Sequence, residues 1–153
     1  MNKLGSTTDD DLRNLAHQEQ IPGFQVYSIN TLPKKLSSTK IMSLIINDDA
    51  TTSGKGGTHW ISMYSNPKDK YVIFFDPVGM APPPELLRLM KSTNKKVLAS
   101  TTQVQDVKAD SCGWWNIYVL HNLSEGHNLS DILSKLSSNN QKKNEQILQQ
   151  FFS

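Results

Sequence analysis

The sequence predicts an α+β fold, a mixed β-sheet packed against a central helix headed by Cys112, with further helices towards both termini. Three observations predict it. The segment 112–120, CGWWNIYVL, follows a polar loop and spaces Trp114, Ile117, Tyr118 and Leu120 as a buried helix does. The segment 41–46 (IMSLII) is an apolar run of strand length, 59–65 (HWISMYS) alternates as a strand does, and 71–75 (YVIFF) is its return strand. The strands are grouped between an early helix and a set of later ones, which is the ordering of an α+β domain rather than of alternating βα units.

Along the chain, Thr8 followed by Asp9, Asp10 and Asp11, and then by Leu12, Leu15 and Ala16, is a helix start. The threonine can cap, and the carboxylates suit the positive end of the helix. Ile21-Pro22-Gly23 stops that helix. Residues 24–29 read as extended, Leu32-Pro33 as a turn and 41–46 as a strand. The polar loop 47–57 ends in Gly54, Gly56 and Gly57 but lacks the Lys-Ser/Thr tail of a phosphate-binding loop. Residues 59–65 alternate Trp60, Ser62 and Tyr64 against Ile61 and Met63. After the turn 66–70, residues 71–75 return antiparallel. In such a hairpin His59, at the start of one strand, and Asp76, just past the end of the other, are expected to be neighbours although 17 residues apart in sequence. A proline run, 82–84, leads into a helix over 85–91. Residues 97–104 read as a further strand feeding the Gln105 loop. Helices follow over 130–136 and 141–152, the last with Ser138 or Asn140 as its cap and Ile147, Leu148, Phe151 and Phe152 on one side.

The totals limit the function classes. A chain of 153 residues with no internal repeat or long linker reads as a single domain over 1–153. With 37% hydrophobic residues and a mean hydropathy of −0.47 it is expected to be globular rather than membrane-bound. The first residues, MNKLGSTTDDD, carry no apolar segment, so no secretory leader is expected. A net charge of +2 is no footprint for strong nucleic-acid binding, although it leaves room for a local basic patch. A single cysteine excludes a disulfide within the chain.

That cysteine is the sharpest chemical signal. At a helix N-terminus, unpaired N–H groups and the helix dipole favour a thiolate, the nucleophilic form. Hydrolysis by a cysteine also needs a base, a group to orient the base, and donors for the oxyanion. Cys112, His59, Asp76 and the Gln105 side-chain amide supply these four types, the amide acting with the backbone N–H of Cys112. His121 and Asp110 are rival partners for Cys112, though neither has a matched orienting group. His17, His121 and His127 lack the spacing of a metal site, so no metal is expected.

The motifs Gly-Gly-Thr-His59-Trp60, Phe-Phe-Asp76-Pro-Val-Gly79, Gln105 and Asp-Ser-Cys112-Gly113 stand in an order that resembles the adenovirus-type maturation protease family, adenain and its virophage and Polinton-type relatives. These are distant cousins of the SUMO and ubiquitin-like proteases. The resemblance spans nearly the whole chain and includes the Gly5-to-Leu12 helix start and the Asn66-Pro67 turn. It implies a papain-like catalytic set of His59, Asp76 and Cys112 with Gln105 in the oxyanion hole. It implies a thiol endopeptidase that cuts viral capsid or core precursors after small residues, at Gly-Gly-Xaa or Gly-Xaa-Gly sites, during virion maturation. Trp60, Gly57 and the stretch Ser6, Thr7, Thr8 and Asp9 would then border the substrate cleft. Location in the virion and in the cytoplasm or nucleus of the host cell follows from the same resemblance, as do action as a monomer and no membrane partner. No cofactor is expected beyond a peptide or DNA activator of the kind known in the family, with weak nucleic-acid contact. A disulfide-tethered activator would consume Cys112 itself. Asp76 stands where adenain has a glutamate, and Trp114-Trp115 is bulkier than expected after the cysteine. The alternatives are a SUMO- or ubiquitin-deconjugating protease and a catalytically silent binding module of the same fold.

Overall fold

The computed structural model describes residues 4–48, 59–106 and 109–153. Five strands form one sheet in the order β1-β2-β3-β4-β5: β1 (Phe24–Ser28), β2 (Met42–Asn47), β3 (Trp60–Ser65), β4 (Tyr71–Phe75) and β5 (Lys96–Ala99). The inner pairs β2–β3 and β3–β4 are antiparallel, and the outer pairs β1–β2 and β4–β5 are parallel. The sheet is therefore mixed, and its parallel edges require crossover connections. The β4–β5 crossover contains α2 (Pro84–Lys91).

Strand alternation sorts the sheet's side chains onto two buried faces. Ile45, Trp60, Tyr64, Ile73 and Phe75 share a core with α1 (Asp9–Gln18), α3 (Cys112–Ser124), α4 (Leu129–Ser134) and α5 (Gln141–Phe151). Leu44, Ile46, Ile61, Met63, Val72 and Phe74 face the other way, against Leu86, Leu89 and Met90 of α2. Both faces being covered explains why β3 has no exposed residue, and why its serines, Ser62 and Ser65, are buried along with its apolar residues.

Helix α3 is the central one. Nine of its thirteen residues are buried, among them Trp115, Ile117, Val119 and Leu120 with no exposure, which is why its sequence shows no broad polar face. Helix α1 begins as expected. The Thr8 side chain accepts from the Asp11 N–H and the Asp11 carboxylate accepts from the Thr8 N–H, a reciprocal capping box. Asn140, one of two expected caps, takes the Lys143 N–H at the start of α5.

One boundary differs from expectation. The strand expected over 97–104 is only Lys96–Ala99. Beyond it the chain follows the loop after β4: the Val104 and Gln105 N–H groups both donate to Pro77 O, at 2.8 and 3.1 Å. Gly79, at φ +80°, permits this approach, since a Cβ there would sit 2.8 Å from Thr101 O. The β-branched composition of 97–104 signals an extended chain. Its partner after Ala99 is a loop, so the ladder ends there.

Candidate active site

His59 and Asp76 meet at the open end of the β3–β4 hairpin. His59 Nε2 lies 2.9 Å from Asp76 Oδ1. The Asp76 side chain is 2% exposed and that of His59 is 31% exposed, so the carboxylate is enclosed and the imidazole is reachable. Asp76 Oδ1 also accepts the Val78 N–H at 2.9 Å, which pins the carboxylate on the turn that follows β4. Burial acts to lower the His59 pKa. Hydrogen bonds to Asp76 and Cys112, together with their negative charge, outweigh it and raise the pKa from 6.5 to about 10. With Nε2 on Asp76, Nδ1 is the nitrogen left for the thiol.

Cys112 heads α3 and is 4% exposed. Its position is set by the edge of β3 that β4 abandons. The β3–β4 pairing ends at Ser62 opposite Phe75, after which Asp76 and Pro77 turn away. His59 O is taken on the β2 side by the Asp48 N–H, so by strand alternation the Trp60 backbone points to the β4 side, where no strand remains. Helix α3 fills the gap: Trp60 N–H donates to Cys112 Sγ at 3.4 Å, and Asn116 Nδ2 donates to Trp60 O at 2.7 Å. Asn116 Nδ2 also reaches Cys112 O, at 2.8 Å, one helical turn back. The end of the hairpin and the start of α3 are thus tied together by two α3 side chains, and His59 comes to the thiol with them.

Gln105 is buried at 2% exposure beside this helix start. Its Nε2 donates to Ala109 O at 3.0 Å, and its Oε1 lies 3.4 Å from Ser111 Oγ. Ser111 Oγ donates to Glu145 Oε2 of α5 at 2.7 Å, and the same oxygen accepts Trp115 Nε1–H at 3.0 Å.

The residues expected to border the cleft, Trp60 and the 6–9 stretch, lie around the same helix start. The Trp60 indole is buried at 2% exposure, and its Nε1 donates to Thr7 O at 3.3 Å, so it lies beneath residues 4–8. Thr7 is buried with it, whereas Ser6, the capping Thr8 and Asp9 are exposed. Trp114 Nε1 donates to Gly5 O at 2.9 Å, so both bulky residues after the cysteine have a use: Trp114 holds the 4–8 segment and Trp115 holds Glu145. Gly113 lets Thr7 approach, since a Cβ there would collide with Thr7 Oγ1. Gly57, also expected at the cleft, lies outside the described residues.

Of the rivals for Cys112, His121 is placed elsewhere. His121 lies nine residues further along α3 and faces Glu19 and Glu125, at 3.7 and 3.6 Å, while Asp110 is exposed. Among the described residues no cluster of His, Cys, Asp and Glu is arranged to hold a metal ion.

Two residues of this arrangement are not singled out by the sequence. Asn116 carries a signal, as a polar residue in the middle of an apolar helical run, one turn from Cys112. Glu145 carries none, because its partners lie at least thirty residues away in sequence, on another helix and the loop before it.

A family model described as adenovirus endoprotease matches residues 25–136, a span that contains His59, Asp76, Gln105 and Cys112. A protease of porcine adenovirus A serotype 3 is 32% identical over 78 residues, which is 51% of this chain; the match spans only 37% of that relative's length. Among solved structures, an ASFV protease aligns over 96% of this chain and 68% of its own with a TM-score of 0.64 and 13% identity. ChlaDub1 from Chlamydia trachomatis aligns over 97% of this chain and 77% of its own with a TM-score of 0.57 and 14% identity. At those identities the two structures speak to the fold.

Proposed function

The chain belongs to the adenovirus endoprotease family, and from that premise we propose that it is a thiol endopeptidase that cleaves viral capsid or core precursor proteins after small residues during virion maturation. The observation that carries the reading is the His59–Asp76 contact of 2.9 Å on an imidazole also hydrogen-bonded to the thiol at the head of α3. A buried carboxylate, a reachable imidazole and a nucleophile at a helix N-terminus, in that order, are the parts that acyl transfer needs.

In the proposed reaction the Cys112 thiolate attacks the scissile carbonyl carbon, and the carbonyl π electrons move to oxygen. The oxyanion is held by the Cys112 backbone N–H and by Gln105 Nε2, whose two protons allow one to stay on Ala109 O while the other donates to the oxyanion. The imidazolium of His59 gives its proton to the leaving amine as the C–N bond breaks, leaving an acyl thioester. A water molecule, deprotonated by His59, attacks the thioester and releases the acid and the thiolate. Asp76 keeps the imidazole in one orientation and stabilises its cationic form throughout.

Substrate recognition is proposed for the stretch Ser6, Thr7, Thr8 and Asp9, in which Ser6, Thr8 and Asp9 are exposed and the buried Thr7 and Trp60 support it from beneath, and for Gly57, two residues before His59 in sequence. Residues of low bulk would fit beside a helix start so closely overlaid. The enzyme would act as a monomer in the virion and infected cell. Any peptide or nucleic-acid activator would bind without a disulfide, because Cys112 is the only thiol in the chain.

Covalent labelling of Cys112, read by intact mass, tests this. A Gly-Xaa-Gly peptide electrophile should label the wild type and fail with His59→Ala. Labelling by ubiquitin- or SUMO-derived electrophiles in preference to the short peptide would make the chain a deconjugating protease. No labelling by any of them, with candidate peptides and DNA added, would leave a silent binding module.

A further inference from the structure

The two donors assigned to the oxyanion come from different parts of the chain, the Gln105 side chain and the backbone N–H of Cys112, and something must fix one against the other. Helix α5 contacts both parts. On one side Asn144 Nδ2 donates to Val104 O at 3.1 Å and Gln141 Nε2 to Gln103 O at 3.3 Å, holding the segment that ends in Gln105. On the other, Glu145 accepts from Ser111 and Trp115, which flank Cys112 and Gly113.

The serine between them is the link. Ser111 stands at the N-cap of α3, yet its hydroxyl does not cap the helix. A hydroxyl has one proton, and the shorter, charge-assisted contact with the Glu145 carboxylate at 2.7 Å takes it. Ser111 is 1% exposed and is held by that bond in one rotamer, with its oxygen 3.4 Å from Gln105 Oε1. The carbonyl end of the Gln105 amide is thereby walled by Ser111, and the amino end is anchored on Ala109 O at 3.0 Å. The carboxylate also lies close to the N-terminal turn of α3, where the helix dipole favours a negative charge.

We propose that Glu145 is a positioning residue of the oxyanion hole: through Ser111 it sets the Gln105 amide against the first turn of α3. The inference rests on the roles proposed above for Cys112 and Gln105. It predicts a loss confined to steps that develop an oxyanion, because Glu145 touches neither His59 nor the thiol.

Two reactions of the same thiol separate those steps. Acylation by a Gly-Gly p-nitrophenyl ester passes through an oxyanion and is read by nitrophenolate release in a single turnover. Alkylation by iodoacetamide has no oxyanion and is read by intact mass. Glu145→Ala should slow acylation roughly tenfold, a part of the 10²–10³ loss expected when a donor is removed outright, without slowing alkylation. Ser111→Ala, which leaves α5 and its Trp115 contact intact, should behave the same way. Glu145→Gln keeps an acceptor for Ser111 and Trp115 and should restore most of the rate. In a Gln105→Ala background, Glu145→Ala should cost little more, since both act on one donor. The inference is overturned if acylation is unchanged in Glu145→Ala and Ser111→Ala. Equal slowing of both reactions, or full additivity with Gln105→Ala, also overturns it. Wild type that alkylates but does not acylate would instead overturn the protease reading itself. Should Glu145→Ala fail to fold, Ser111→Ala and Glu145→Gln give the decision.

Discussion

Asn116 Nδ2 bridges Trp60 O at 2.7 Å and Cys112 O at 2.8 Å, so one buried amide joins the strand that follows His59 to the helix headed by Cys112. The bridge exists because β4 leaves β3 at Ser62, two residues short of the Trp60 end of β3. Its departure frees the Trp60 backbone for α3 and, in the same turn, brings Asp76 to His59. The meeting of His59, Asp76 and Cys112 and the end of the sheet are one structural event.

Asn116→Ala should therefore affect both stability and activity. It leaves Trp60 O buried without its amide donor, at a cost of about 1–3 kcal/mol. For a chain of this size that is a fall of roughly 2–4 °C in Tm for each kcal/mol. Peptide cleavage should fall as well, as the link between His59 and Cys112 loosens. Thermal melting and steady-state kinetics check both, and an unchanged Tm would remove Asn116 from this role.

Cys112→Ala should abolish turnover and leave the fold nearly as stable. The side chain is small, its polar contact with Trp60 N–H is a weak one at 3.4 Å to sulfur, and Asp76 still holds the imidazole once the thiol is gone. Measurable turnover by this variant would place the nucleophile elsewhere.

Gln105→Ala should lower kcat by roughly 10²–10³ with a smaller effect on KM, because an oxyanion donor acts in the transition state. An unchanged kcat would assign the buried amide to anchoring Ala109 O alone.

The His59 pKa, raised from 6.5 to about 10, links charge to stability. A pKa raised on folding means that the native state binds the proton more tightly than the unfolded chain. The stabilisation is complete below pH 6.5 and is lost as pH rises through about 10. Tm should fall across that window in the wild type and fall less in His59→Gln. Asp76→Asn removes the carboxylate that holds the imidazolium. It should shrink the same pH dependence and lower kcat by roughly 10²–10⁴, with the larger figure being the loss seen when the analogous carboxylate of a serine triad is neutralised. Equal pH profiles for wild type and His59→Gln would show that other groups govern stability in this range.

Much of this architecture is legible in the chain. The capping box at Thr8, the hairpin that brings His59 to Asp76 and the helix headed by Cys112 are all set by residues near one another in sequence. Strand period, turn composition and helix spacing act over a few residues, so their pattern is local. The order of His59, Asp76, Gln105 and Cys112 is enough for the family resemblance. What the sequence leaves open depends on contacts across the fold. The early end of β5 is set by Gly79 and Pro77 on a neighbouring loop. The burial of Trp60 is set by Thr7, and the reason for two tryptophans after Gly113 lies in Gly5 and Glu145. Each of these is a hydrogen bond or close approach between segments far apart in the chain, and a donor in sequence does not name its acceptor until packing brings the two together. Residue order alone supplies the chemical groups of the site and the hairpin that pairs His59 with Asp76. How Cys112 is brought to that pair, and what holds Gln105 beside it, depends on where α3 and α5 pack against the sheet, and that packing is settled by contacts between segments far apart in the chain.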